Sequence, residues 1–129
     1  MSAMSDYLEV KILDHITART AYTAPSAVYL GLSTGDFTDT GSGSSELTGN
    51  NYSRVSVAFD AAASGATQNT SAIDFAAASG NWGTVSHWAL FDAASGGNAL
   101  IVGAFSASKT IETNDVLRIA AGDLDLTAS

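Results

Sequence analysis

A chain of 129 residues is the size of one domain and holds too little surface for two independently stable cores. Hydrophobic residues make up 46% and charged ones only 14%, against about 25% in ordinary soluble proteins, which argues against intrinsic disorder. The net charge of -8, with the five cations Lys11, Arg19, Arg54, Lys109 and Arg118 scattered along the chain, disfavours direct binding to nucleic acid or to an anionic membrane.

From the N-terminus, Ser5 to Thr17 is the one predicted helix. Ser5 is its cap, Asp6 lies in the electropositive first turn, and Met4, Leu8, Ile12, Leu13 and Ile16 fall on one broad apolar arc. Residues 1–24 are therefore expected to form a helical arm, closed by Ala24-Pro25, and residues 25–129 a β domain. Beyond Pro25 the hydrophobic period moves from 3.6 towards 2. Strands are expected at Ala27 to Leu32, Tyr52 to Phe59, Ala72 to Phe75, Thr84 to Phe91, Ala99 to Ser106, Lys109 to Glu112, Val116 to Ile119 and Leu124 to Thr127. The strand Thr84 to Phe91 places apolar residues on both faces and should be covered on both. One helix followed by many short strands points to a mainly β fold, an antiparallel β-sandwich or jelly-roll-like barrel with an N-terminal amphipathic helix.

The segment Ser33 to Asn51 consists almost entirely of turn-forming residues and is too long for a simple connection, so it is expected to serve contact rather than core. Three Ala-Ala-Ser-Gly turns, beginning at Ala62, Ala77 and Ala93, read as repeated use of a good turn rather than as a solenoid.

The inventory for chemistry is thin. Absence of cysteine removes a disulfide framework, a thiol nucleophile and a thiolate zinc site. His87, between Ser86 and Trp88 in an apolar strand, reads as a packed histidine rather than a general base, and no Gly-x-Ser-x-Gly elbow is present. Asp123 and Asp125 share a strand face and could hold a cation with Asp36 or Asp39, but a solvated face is the plainer reading. No enzyme activity, no metal and no cofactor are expected. No leader of the basic-then-apolar type opens the chain and no run reaches the ~18 apolar residues of a membrane span, so cytoplasmic synthesis without signal-directed export is expected.

Several segments together carry a resemblance. They are Asp6-Tyr7-Leu8-Glu9 with Leu13-Asp14-His15, the run Pro25 to Thr34, Tyr52-Ser53-Arg54-Val55, Ala72-Ile73-Asp74-Phe75, the run Trp82 to Ala93, and Gly122-Asp123-Leu124. Across nearly its whole length the chain resembles a family of small virion proteins of tailed bacteriophages, some tail-fibre-like and some capsid decoration or cement proteins. The resemblance implies a virion protein made in the host cytoplasm. A fibre shaft needs repeats or heptads, and none is visible, whereas a cement protein needs a compact β body and a terminal arm. The expected role is therefore capsid decoration: binding the major capsid protein at the capsid surface, as a homotrimer that matches a local three-fold axis. The alternative is a tail or tail-fibre-associated, lectin-like receptor-binding protein, for which Trp82, Asn81 and the Ser33 to Asn51 loop would supply the site. Expected contact residues are Leu8, Ile12 and Ile16 on the helix, and Trp82 in its Gly80-Asn81-Trp82-Gly83 turn.

Overall fold

The structure, a computed structural model, describes residues 2–38 and 46–128. Among them are nine strands and one helix: β1 (Ser2–Met4), α1 (Asp6–Ile16), β2 (Val28–Ser33), β3 (Val55–Val57), β4 (Ala66–Gln68), β5 (Ile73–Asp74), β6 (Gly83–Phe91), β7 (Ala99–Ile111), β8 (Arg118–Ile119) and β9 (Asp125–Thr127). The strands are paired antiparallel into a five-stranded sheet, in the order β1-β7-β6-β2-β3, and two small sheets, β4-β9 and β5-β8. The mainly β expectation holds, and the arrangement is consistent with a sandwich.

The core follows from the pleat. Leu30, Leu32, Trp88 and Leu90 on the large sheet meet Ile73, Ile119 and Leu126 from the small sheets, with Phe75, Trp82, Leu117 and Leu124 from the connections filling the same cluster. The opposite face of β6 carries Ala89 and Phe91, which pack with Phe37, Ala99 and Val102 in a second cluster. Strand β6 is therefore covered on both sides, as its apolar run requires. Val85 joins the Trp88 face, which simple alternation from His87 and Ala89 does not allow. The reason is a register shift: Val85 pairs with Lys109 but His87 pairs with Ala104, so Phe105 to Ser108 of β7 lie opposite Ser86 alone. The two expected strands Ala99 to Ser106 and Lys109 to Glu112 are thus one strand bent by this irregularity.

The N-terminal segment is less of a detached arm than its sequence suggests. Residues Ser2, Ala3 and Met4 pair with Gly103, Val102 and Ile101, and so belong to the large sheet. Ser5 then acts twice. Its hydroxyl accepts the Leu8 N–H at 3.2 Å as the helix cap and donates to the Ala99 carbonyl, while its own N–H donates to Leu100 O at 2.8 Å. With every polar group satisfied, Ser5 is buried. Past Thr17, Ala18 takes a left-handed φ of 61°, and the Arg19 and Thr20 N–H groups turn back onto Asp14 O, which ends the helix.

Strands β1 and β4 were not legible as strands, both being three residues long and built largely from Ser, Ala, Thr and Gln. Strand β4 follows a tight reversal in which Ala63 and Ala66 exchange backbone hydrogen bonds across Ser64 and Gly65, both at positive φ. The similar sequence at Ala77 to Gly80 does not repeat this turn; Ala78 is buried there and bonds instead with Asp115 and Asn114. The Ala-Ala-Ser-Gly echo is local chemistry and not a structural repeat.

Candidate functional site

The loop after β2 was expected to lie outside the core because its residues are polar. Its two ends contradict this, while its tip, residues 39–45, lies outside the described residues. Ser33 is wholly buried, Phe37 meets Phe91 edge to face at a centroid distance of 5.8 Å, and Leu47 enters the main core. The far end is tied as well. Glu46 bridges to Ser33, the Leu47 N–H donates to Leu32 O, and the side-chain amides of Asn50 and Asn51 donate to Asn81 O and Ala77 O.

One ionic cluster holds the loop to the sheet. Arg54 donates from Nε and Nη2 to the two oxygens of Glu46, each at 2.8 Å, and from Nη1 to the carbonyls of Ala93 and Gly96. Its guanidinium carbon lies 3.5 Å from the centroid of the Phe91 ring. The Tyr52 hydroxyl completes the set, donating to Glu46 Oε2 at 2.8 Å and accepting the Leu32 N–H at 2.9 Å. Burial of a fork-to-fork pair with its remaining donors bonded is the arrangement in which an enclosed ion pair is tolerated. Gly31 makes room for it, since a Cβ there would sit 2.9 Å from both Glu46 Oε2 and Phe91 Cε2.

Burial alone would push the Glu46 carboxyl up. The hydrogen bonds from Arg54 and Tyr52, together with the Arg54 charge, outweigh it and hold the group below its ordinary value. Burial, aided by the Glu46 charge, raises the Tyr52 phenol above its ordinary value. Because the folded carboxyl is depressed, its contribution to stability is complete above the ordinary carboxylate pKa of about 4.3 and is lost as pH falls through the lower folded value. The expected result is a melting temperature that drops on acidification below about pH 4, with a smaller drop in Glu46→Gln. Melting curves of both proteins across that range check it.

The expected contact residues separate into two kinds. Trp82 is a core residue at 6% exposure: its ring packs edge to face on Tyr52 and Phe75, and its indole N–H donates to Asn50 O at 2.9 Å. It is not an exposed anchor: the Gly-Asn-Trp-Gly pattern marks a turn, but the indole is held in the core by Tyr52, Phe75 and Asn50 O. On α1, Leu8 and Ile12 are half-buried, while Ile16 is 68% exposed. The residues overlooked on this helix are Val10 and Leu13, each 58% exposed, which with Ile16 form an open apolar row at i, i+3, i+6. They were legible as apolar positions, but the sequence does not say which face of a helix with apolar residues on two sides turns inward. No residue of α1 is fully buried.

The histidines lie apart. The His15 ring accepts the Tyr22 N–H at its Nδ1, and His87 Nδ1 is 2.7 Å from the Oγ of its neighbour Ser86. Among the described residues no group of three His, Asp or Glu side chains is placed to hold a metal ion; Asp39 lies outside them.

A family model described as Podophage GP4 fiber I protein gp80 matches residues 3–127. The chain belongs to this family. It is a bacteriophage structural protein associated with the virion. The match runs from β1 to β9, so the N-terminal strand and helix are part of the family unit. Comparison with curated proteins returns no match.

Proposed function

We propose that this protein is a non-catalytic building block of the phage tail-fibre apparatus, held in a multi-copy assembly through the open face of α1. The observation that carries the reading is the row Val10, Leu13 and Ile16, more than half exposed on a helix that packs only lightly against β7. An isolated helix of 11 residues is marginal in water, and one with apolar residues on two sides is stable when both sides are covered. The sheet covers one side through Leu8 and Ile12; neighbouring copies cover the other. The family description supports a fibre setting.

Replacing Val10, Leu13 and Ile16 together by serine is expected to leave the melting temperature within a few degrees of the parent, because these side chains add little to the folded monomer. The same variant is expected to abolish self-association, read by sedimentation equilibrium. A parent chain that stays monomeric at high concentration would sink the self-assembly reading.

Decoration of the capsid is the second reading. It is favoured by the compact body, whose described part carries no shaft-like repeat, and would make the partners the major capsid protein and two further copies of this chain around a three-fold axis. Antibody labelling of purified particles separates the two: label on tails supports the first and label on heads the second.

A further inference from the structure

We infer that a second copy of this chain adds to the free edge of β7, strand to strand and antiparallel about a two-fold axis at Ala107, a contact that rests on the proposed assembly through α1. Strand β1 covers that edge only at Ile101 to Gly103, and among the described residues no strand lies beside Ala104 to Thr110 on that side. On the other side the register shift sets Phe105 to Ser108 opposite Ser86 alone, so the ladder to β6 is interrupted there as well. Backbone N–H and C=O groups left open along a strand edge are a template for another strand. The whole stretch is exposed except for half-buried Phe105.

Charge and symmetry choose the occupant. With a net charge of -8, copies repel one another over most of their surfaces, whereas Ala99 to Ile111 holds no acid and one cation, Lys109. Bowing of β7 opens a cleft of about 470 Å³ against the β8-β9 connection, lined by Phe105, Lys109, Asp123 and Asp125 among others. Among the described residues no hydrogen bond or ion pair engages the side chains of Lys109, Asp123 or Asp125, while Arg118, at the same cleft, faces Asp74 at 3.5 Å. Ala107 is the midpoint of the open stretch, so two such edges overlap most when Ala107 faces the partner's Ala107. In that register each Lys109 lies beside Phe105 of the other copy, at the mouth of the cleft that carries Asp123 and Asp125, and the two lysines are not opposite each other. The same contact is made twice, as a two-fold interface requires. An edge lysine and an irregular strand ordinarily deter strand addition. Here they admit a strand whose own cleft offers carboxylates to that lysine. Pairing along Ala104 to Thr110 alone falls short of the roughly 1,000 Å² of a stable interface, so it forms between copies already held through α1.

The chain lacks cysteine, so an introduced one traps the contact without competition. Opposed Cα atoms of an antiparallel pair lie about 4.5–5.5 Å apart, within disulfide reach. Under mild oxidation the full chain carrying Ala107→Cys is expected to form a covalent dimer roughly tenfold faster than one carrying Ala62→Cys, another exposed alanine, on the turn before β4. The reduced proteins should melt at the same temperature. Ser106→Cys mixed with Ser108→Cys should cross-link, because these positions face each other in this register, and either alone should not. Adding Lys109→Glu to Ala107→Cys should slow the reaction to the rate of the control, and adding Asp123→Lys with Asp125→Lys to that variant should restore it. The inference is overturned if Ala107→Cys dimerises no faster than Ala62→Cys, or if Lys109→Glu leaves the rate unchanged. With Val10, Leu13 and Ile16 replaced by serine the fast reaction should disappear. If it persists, the β7 contact stands and the α1 reading falls; if the parent self-associates and Ala107→Cys does not react, the α1 reading stands and the β7 contact falls.

Discussion

Replacing Arg54 by alanine is expected to cost about 3–5 kcal/mol of stability. The Arg54 side chain is 8% exposed, and its removal leaves Glu46, itself largely enclosed, without a counter-charge and with only the Tyr52 hydroxyl to bond it. It also strips two carbonyls, Ala93 O and Gly96 O, of their donor and uncovers the Phe91 ring. An exposed pair would be worth no more than about 1 kcal/mol. Urea unfolding distinguishes these scales directly, and a loss below about 1 kcal/mol would mean that the cluster behaves as surface. Arg54→Lys should recover little, because a single ammonium cannot reproduce the two-pronged contact with Glu46 or the stacking on Phe91. The double variant Arg54→Met with Glu46→Leu should lie well above Arg54→Ala, since no unpaired charge is then buried.

Trp82→Ala is expected to cost about 3–5 kcal/mol, through the cavity left among Tyr52, Phe75 and the core leucines. Trp82→Phe keeps most of the ring contact and loses the indole hydrogen bond to Asn50 O, for about 1 kcal/mol. The pair of substitutions separates a core role from an interface role. If Trp82 anchored a neighbouring subunit, alanine would weaken assembly and leave the melting of the single chain nearly unchanged. The structure requires the opposite: loss of stability first, with assembly affected only as a consequence.

Both expectations concern residues whose type was visible in the sequence and whose environment was not. Arg54 was one of five scattered cations, and only folding brings it to Glu46, eight residues earlier, and to carbonyls some forty residues later. Trp82 sits between Asn81 and Gly83, neighbours that mark an exposed turn, yet the direction of its ring is set by Tyr52 and Phe75 from elsewhere in the chain. Sequence patterns report local conformation; burial is a property of partners distant in sequence.

By itself the sequence determined the helix to within a residue at each end, because the Ser5 cap and the apolar spacing are local features. It also determined the mainly β class and the two-sided burial of β6, both consequences of side-chain period along a strand. Only the tertiary structure decided that Ser2–Met4 completes a sheet and that the ends of the polar loop are core. It alone decided that Val10, Leu13 and Ile16 are the open face of α1, and that a slip in the β6-β7 register opens a cleft. These are matters of pairing between distant segments, where three residues gain a strand by finding an unpaired edge and a polar loop enters the core by bonding its polar groups there.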